Sequence, residues 1–148
     1  MEIDHIGVIC RDLADSVRHY ESLGFLISKD RVTDTARNLD YVFVTNHQYT
    51  FELIAKSRAS APSDIDALMK APWLSGDRLY HVCFLSSDLE EDIEKKRAMG
   101  YKLIRPPEVA VAWADVPNYA KTTGTFWVVK EHVLIPPTYK EAGLLRNA

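Results

Sequence analysis

The stretch IDHIGVICRDLADSVRHYESLGFLI, residues 3–27, decides the fold of this 148-residue chain because it recurs further along. It aligns without a gap over LYHVCFLSSDLEEDIEKKRAMGYKL, residues 79–103. The identical pairs, all at one constant spacing, are His5/His81, Asp12/Asp88, Leu13/Leu89 and Gly24/Gly100. A fixed period of this kind indicates a duplicated supersecondary unit.

Each copy of the repeat has the local signals of a strand, a helix and a second strand. An apolar run comes first, and Asp12 or Asp88 follows it at a position suited to capping a helix N-terminus. Gly24 or Gly100 then ends the helix, because glycine readily takes the positive φ that a helix end requires. A strand is predicted after each glycine.

Two further strands complete each unit. In the first copy they are LDYVFVT and YTFELIAK, joined by the turn NHQ, and in the second they are TGTFWVVK and HVLIPP. The prediction is an α+β fold in which two βαβββ modules form a curved mixed sheet, a half-barrel, with a central cleft. A single module has an exposed sheet face and is not expected to be stable alone.

The predicted organisation is a single domain over residues 1–148. Module 1 covers about 1–56, and module 2 covers about 79–137. The linker, 57–78, contains a short helix with Ser63 as its N-cap, and 138–148 form a C-terminal tail. An insertion in module 2, residues 106–121, has the length of a functional lid.

Composition and charge narrow the classes of partner. The net charge of −3 argues against nucleic acid or an anionic membrane as the main partner. The N-terminus has no signal-peptide pattern, and no apolar run is long enough to span a membrane. Cys10 and Cys83 lie in apolar strands and are expected to be small buried residues in a reducing compartment, so the cytoplasm is the expected location.

Three polar residues in apolar strands are candidates for chemistry. His5 and His81 occupy the same position of the duplicated unit, and Glu52 lies in the middle of a strand. If a pseudo-twofold axis relates the units, the two imidazoles converge on it. Imidazole and carboxylate donors would then suit a divalent metal such as Zn, Fe, Co, Ni or Mn. Taken singly, a histidine in an apolar strand is more often a hydrogen-bonded core residue than a ligand.

The motifs DHIGVICRDLADSVRHYESLGF, TFELIA and YHVCFLSSDLEEDIEKKRAMGYKLI resemble the vicinal oxygen chelate superfamily of glyoxalases, bleomycin resistance proteins and dioxygenases. The resemblance covers about 3–137, and the spacing is most like methylmalonyl-CoA epimerase and glyoxalase-like members. It implies a divalent metal bound by one residue from each of four strands. The matching positions are His5, Glu52, His81 and Pro136, of which proline cannot be a ligand.

The resemblance also implies a general base near the metal, which removes a proton α to a carbonyl. The matching position is Asp40, although an aspartate beside a turn is more often simply solvated. Glu52 is predicted both as a ligand and as a catalytic residue.

The leading hypothesis is a metal-dependent lyase or isomerase acting on a small thioester or α-keto compound through a metal-stabilised enolate. One alternative is a metal-free protein that binds a small molecule or sequesters an antibiotic, which the loss of a ligand at Pro136 favours. Another is an extradiol-type dioxygenase, since two histidines and a carboxylate form a facial triad. Similar folds often pair, so a homodimer is expected.

Overall fold

The computed structural model describes residues 3–70, 76–86, 88–99 and 101, and the backbone alone of 124–128. The chain divides into two compact units, His5–Tyr80 and a second that contains His81–Ala148 with Met1–Asp4. The predictions for Gly100, for the strand 101–105 beyond Tyr101, for the strand 132–137, for the insertion 106–121 and for the tail 138–148 lie outside the residues described in full.

The first unit has the predicted βαβββ order, followed by a short helix. Its elements are β1 (Ile3–Ile9), α1 (Leu13–Ser22), β2 (Leu26–Asp34), β3 (Leu39–Thr45), β4 (Thr50–Lys56) and α2 (Asp66–Met69). The strands lie in the order β2-β3-β4-β1. The β2–β3 and β3–β4 pairs are antiparallel, whereas β1 runs parallel to β4, so the sheet is mixed and the α+β class is confirmed.

The hairpin between β3 and β4 fixes the register of the strands that carry the candidate site. Asn46 accepts the backbone N–H groups of Gln48 and Tyr49, and His47 adopts a positive φ of 71°. The predicted turn at 46–48 is therefore present. Beyond it, Phe43 on β3 lies opposite Glu52 on β4.

Helix α1 covers one face of this sheet. The buried residues of the core beneath it come from β1, β3 and β4 and from the positions just after β1 and just before β2, and are Val8, Cys10, Phe25, Val42, Val44, Leu53 and Ala55. Tyr20 of α1 packs against Phe25 and Phe51 with ring centroids 5.5 and 5.0 Å apart. This face of the sheet is thus a hydrophobic core.

The second unit repeats the beginning of the first. Its described elements are β5 (Arg78–Ser86), α3 (Leu89–Ala98) and β6 (Gly124–Val128), with β5 and β6 antiparallel. As predicted, the Asp12 carboxylate accepts the N–H of Asp15 at 2.9 Å, and that of Asp88 accepts the N–H of Glu91 at 2.9 Å. Both helices have ten residues and begin one residue after their aspartate, which confirms equivalent helix starts in the two copies.

The linker prediction is wrong in one detail. Ser63 is not the N-cap of α2, which begins at Asp66 after Ile65 and has no side-chain cap. The reason is that the Ser63 hydroxyl makes no hydrogen bond among the described residues and so caps no helix N–H group, while the Asp66 carboxylate accepts the N–H of Ser63 at 3.0 Å. Lys56 also binds Asp66, at 2.7 Å, so the short helix is tied back to the end of β4.

No helix among the described parts of the chain is long and apolar enough to cross a membrane.

Candidate metal centre

The sheet of the first unit presents two chemically different faces. Successive strand residues alternate between faces, so Phe51, Leu53 and Ala55 of β4 lie on the α1 side. Glu52 and Ile54 therefore lie on the opposite side. Because cross-strand partners share a face, this opposite side also carries Phe43 of β3.

His5 and Glu52 meet on this second face. The Nε2 atom of His5 lies 3.4 Å from Oε2 of Glu52, and the two side chains are only 7% and 12% exposed. The parallel β1–β4 register places Gly7 beside Glu52, so the position that follows His5 on the same face contributes no side chain. The ring of Phe43 packs edge-on against the His5 imidazole, with centroids 5.6 Å apart and an angle of 87° between the ring planes.

The His5–Glu52 spacing fits a pair of metal ligands. A charge-assisted N–H···O hydrogen bond is usually about 2.7–2.9 Å long, shorter than the observed separation of 3.4 Å. Two ligands each about 2.0–2.1 Å from a tetrahedral zinc ion would instead be roughly 3.4 Å apart. One neutral imidazole and one carboxylate, nearly buried and at this distance, are therefore suited to hold a divalent cation.

Asp40 lies away from this pair. It has the same strand parity as Val42 and Val44, which belong to the core under α1, so its side chain is on the other face of the sheet. It is 1% exposed rather than solvated. Its carboxylate accepts a hydrogen bond from Thr33 at 2.6 Å and pairs with the guanidinium of Arg31.

The charge of Asp40 is stabilised by its neighbours. Burial raises the pKa of this carboxyl, but the hydrogen bonds from Arg31 and Thr33 outweigh burial and leave the pKa below its ordinary value. A general base with a depressed pKa is a weak proton acceptor near neutral pH. The catalytic assignment of Asp40 stays a prediction, and these contacts favour a structural role.

His81 occupies in the second unit the place that His5 has in the first. It lies on β5, two residues before Cys83 on the same face, and both residues are buried. Its participation with His5 and Glu52 stays a prediction, and Pro136 lies outside the described residues.

Tyr41 shares the face of Glu52 and is not among the site residues predicted from the sequence. Its cross-strand partner is Ile54, two residues from Glu52, and it is 8% exposed. Burial first, and the Glu52 carboxylate second, raise the pKa of the phenol well above its usual range, so it stays protonated. The signal was available in the sequence, because the turn after Thr45 sets Phe43 opposite Glu52 and thereby places Tyr41 on the same face.

Comparisons with known proteins agree with this architecture. Residues 4–117, more than half of the chain, match the family model described as Glyoxalase/Bleomycin resistance protein/Dioxygenase superfamily. No curated protein matches the chain.

Solved structures share the fold at low sequence identity. A hypothetical protein from Bacillus halodurans C-125 is 19% identical with a TM-score of 0.63, over 89% of this chain and 96% of that one. Methylmalonyl-CoA epimerase from Mycobacterium tuberculosis is 19% identical with a TM-score of 0.59, over 74% and 73%. A variant of the Streptomyces coelicolor methylmalonyl-CoA epimerase, in complex with 2-nitronate-propionyl-CoA, is 20% identical with a TM-score of 0.58, over 74% and 80%.

Proposed function

Because the chain belongs to the glyoxalase, bleomycin resistance protein and dioxygenase superfamily, we propose that it is a metal-dependent isomerase or lyase of the epimerase and glyoxalase type. Its substrate would be a small thioester or α-keto compound. The observation that carries the proposal is the nearly buried His5–Glu52 pair, whose donor atoms lie 3.4 Å apart on the sheet face away from α1.

In this proposal His5 and Glu52 hold a divalent cation, and His81 contributes a third ligand from the duplicated position. A catalytic zinc site commonly has three protein ligands and an open position, so the proline at position 136 is compatible with activity. When bound, such a cation polarises a carbonyl oxygen and stabilises the charge of an enolate. The chain would supply the ligands, and the nearly buried setting would strengthen their electrostatic effect.

The choice of a thioester rests on the structural neighbours. The Streptomyces coelicolor epimerase is bound to a CoA ester, and the Mycobacterium tuberculosis protein carries the same enzyme name. Both epimerases have about the same sequence identity to this chain as the hypothetical Bacillus protein has. Their substrate is therefore a starting point for assays. Homodimer formation and a cytoplasmic location stay predictions.

The test is α-proton exchange. Protein loaded with Zn²⁺ or Co²⁺ is incubated in D₂O with a methylmalonyl thioester, and separately with an α-keto thiohemiacetal, and deuterium incorporation is followed by NMR. We expect exchange that requires metal and is lost in Glu52→Ala. The matched control is Glu21→Ala, which removes an exposed carboxylate on α1 and should leave exchange unchanged.

Other outcomes separate the alternatives. Oxygen consumption with a catechol, without α-proton exchange, would identify a dioxygenase. Failure to bind any divalent metal, with the fold intact, would contradict the enzyme proposal and favour a metal-free binding protein.

A further inference from the structure

Tyr41 is placed to act beside the His5–Glu52 pair. It lies on β3 opposite Ile54, so it is the diagonal neighbour of Glu52 across the β3–β4 pair. Diagonal partners on one sheet face are about 7–8 Å apart at their Cα atoms, within reach of aromatic and long side chains. The influence of the Glu52 charge on the Tyr41 phenol agrees with that proximity.

A buried acid, Asp34, and an arginine, Arg37, also act on the Tyr41 phenol. Asp34, only 3% exposed, accepts the backbone N–H of Arg37 at 3.0 Å, and its carboxylate lies 3.8 Å from the Arg37 guanidinium. The Arg37 side chain acts on the Tyr41 hydroxyl as a nearby positive charge and a hydrogen-bond donor, which opposes the rise in the pKa of the phenol. Asp34, Arg37 and Tyr41 therefore lie together near one end of the β2–β3 hairpin, and Glu52 is the diagonal neighbour of Tyr41 on β4.

The direction of the Arg37–Tyr41 hydrogen bond matters for function. A guanidinium has only N–H donors, so the phenol oxygen must be the acceptor. The phenolic hydrogen is then left to donate to a second group, and the neighbouring donor from Arg37 makes the phenol a stronger donor. A neutral tyrosine held in this way is a preorganised donor towards a negatively charged oxygen.

We propose that Tyr41 is a catalytic residue that donates a hydrogen bond to the developing oxyanion of a substrate with two adjacent oxygens. Arg37 and Asp34 are positioning residues that fix the phenol. This inference rests on the proposed function, since it places the substrate beside His5 and Glu52. In this proposal β3 contributes a residue on the sheet face that carries Glu52. Asp40, the residue of β3 predicted from the sequence, lies on the opposite face.

The experiment uses oxalate, which carries two adjacent oxyanions, as a probe of the site. Full-length protein is loaded with Co²⁺, and oxalate affinity is measured from the visible spectrum at concentrations that leave the metal bound. Tyr41→Phe keeps the ring and removes only the hydroxyl. The matched control is Tyr49→Phe, because Tyr49 is 59% exposed in the hairpin turn.

We expect Tyr41→Phe to bind Co²⁺ as the wild type does and to bind oxalate about tenfold more weakly or worse, as is usual for losing a hydrogen bond to a charged group. The rate of α-proton exchange should fall by roughly 10²-fold, mainly in kcat, as for loss of one oxyanion donor. Arg37→Met should weaken oxalate binding by a smaller factor. An ultraviolet difference spectrum of wild-type tyrosine on oxalate addition gives a readout that needs no variant.

Equal oxalate affinity in wild type and Tyr41→Phe would overturn the role of Tyr41, as would Co²⁺-loaded wild type that binds no oxalate. The proposed function is judged separately. Wild type that binds metal but exchanges no α-proton contradicts the isomerase proposal, whereas exchange at an unchanged rate in Tyr41→Phe rejects Tyr41 alone.

Discussion

Replacement of Asp40 by asparagine distinguishes a structural carboxylate from a general base. The change keeps the size of the side chain and removes the charge that Thr33 and Arg31 stabilise. A hydrogen bond to a charged group contributes about 1.5–3 kcal/mol, and the ion pair with Arg31 adds less than about 1 kcal/mol because that guanidinium is 61% exposed. We expect the free energy of unfolding to fall by about 2–3 kcal/mol, which lowers Tm by roughly 4–10 °C.

The loss should depend on pH in a defined direction. The contacts hold the pKa of Asp40 below its ordinary value, so their stabilisation is present above the unfolded-state pKa of about 3.9 and disappears as pH falls through the lower folded-state pKa. The difference between wild type and Asp40→Asn should therefore be constant from pH 7 to about pH 5. It should shrink below about pH 4, where the wild-type carboxyl also becomes protonated.

The assay is urea unfolding followed by circular dichroism at several pH values, together with α-proton exchange at pH 7. Asp30→Asn is the control, since Asp30 is an exposed carboxylate on the same hairpin. A stability of Asp40→Asn equal to that of Asp30→Asn, combined with loss of exchange, would refute the structural account and restore Asp40 as the base.

Three other predictions test the fold. Asp12→Ala and Asp88→Ala should each lower the free energy of unfolding by about 1 kcal/mol in urea titrations, because each removes one N-cap hydrogen bond. A loss of stability in only one of the two variants would contradict equivalent helix starts. Burial raises the pKa of the Cys10 thiol to about 12, so Cys10 in a Cys83→Ala variant should react with a disulfide reagent at pH 8 only after the protein unfolds. Fast reaction of the native variant would contradict the burial of Cys10. Phe43→Ala should cost about 3–5 kcal/mol and loosen His5, seen as a wider range of His5 NMR shifts, whereas unchanged stability would show that the ring is not packed as described.

The repeat made the local structure predictable. N-caps and helix starts depend on a few neighbouring residues, and both aspartates begin their helices as the spacing indicates. The short linker helix was harder, because its start depends on whether Ser63 or Asp66 supplies the side-chain acceptor. Both residue types can do so; in the structure Asp66 is the acceptor, and it also binds Lys56 at the end of β4, a contact that the local sequence does not indicate.

Part of the candidate site was also predictable. His5 and Glu52 were identified from the repeat, the apolar strands and the family resemblance, and the structure brings their side chains together. Asp40 was chosen by alignment with no account of strand parity. The hairpin turn sets the β3–β4 register, so the sequence could have indicated that Tyr41 rather than Asp40 faces Glu52. The contact between Arg31 and Asp40 depends on the register of β2, which contains irregularities. Simple alternation of residues along the sequence therefore does not predict this contact.

The central claim is that His5 and Glu52 hold a divalent metal, and the most direct measurement is the metal stoichiometry of untagged protein dialysed against Zn²⁺ and analysed by mass spectrometry. We predict about one ion per chain in the wild type and in His19→Ala, which removes an exposed histidine on α1 without approaching the site. In His5→Ala and in Glu52→Ala the affinity should fall by at least about 10²-fold, with circular dichroism showing a retained fold. A wild type that retains no metal, or a stoichiometry unaffected by either substitution, would contradict the account.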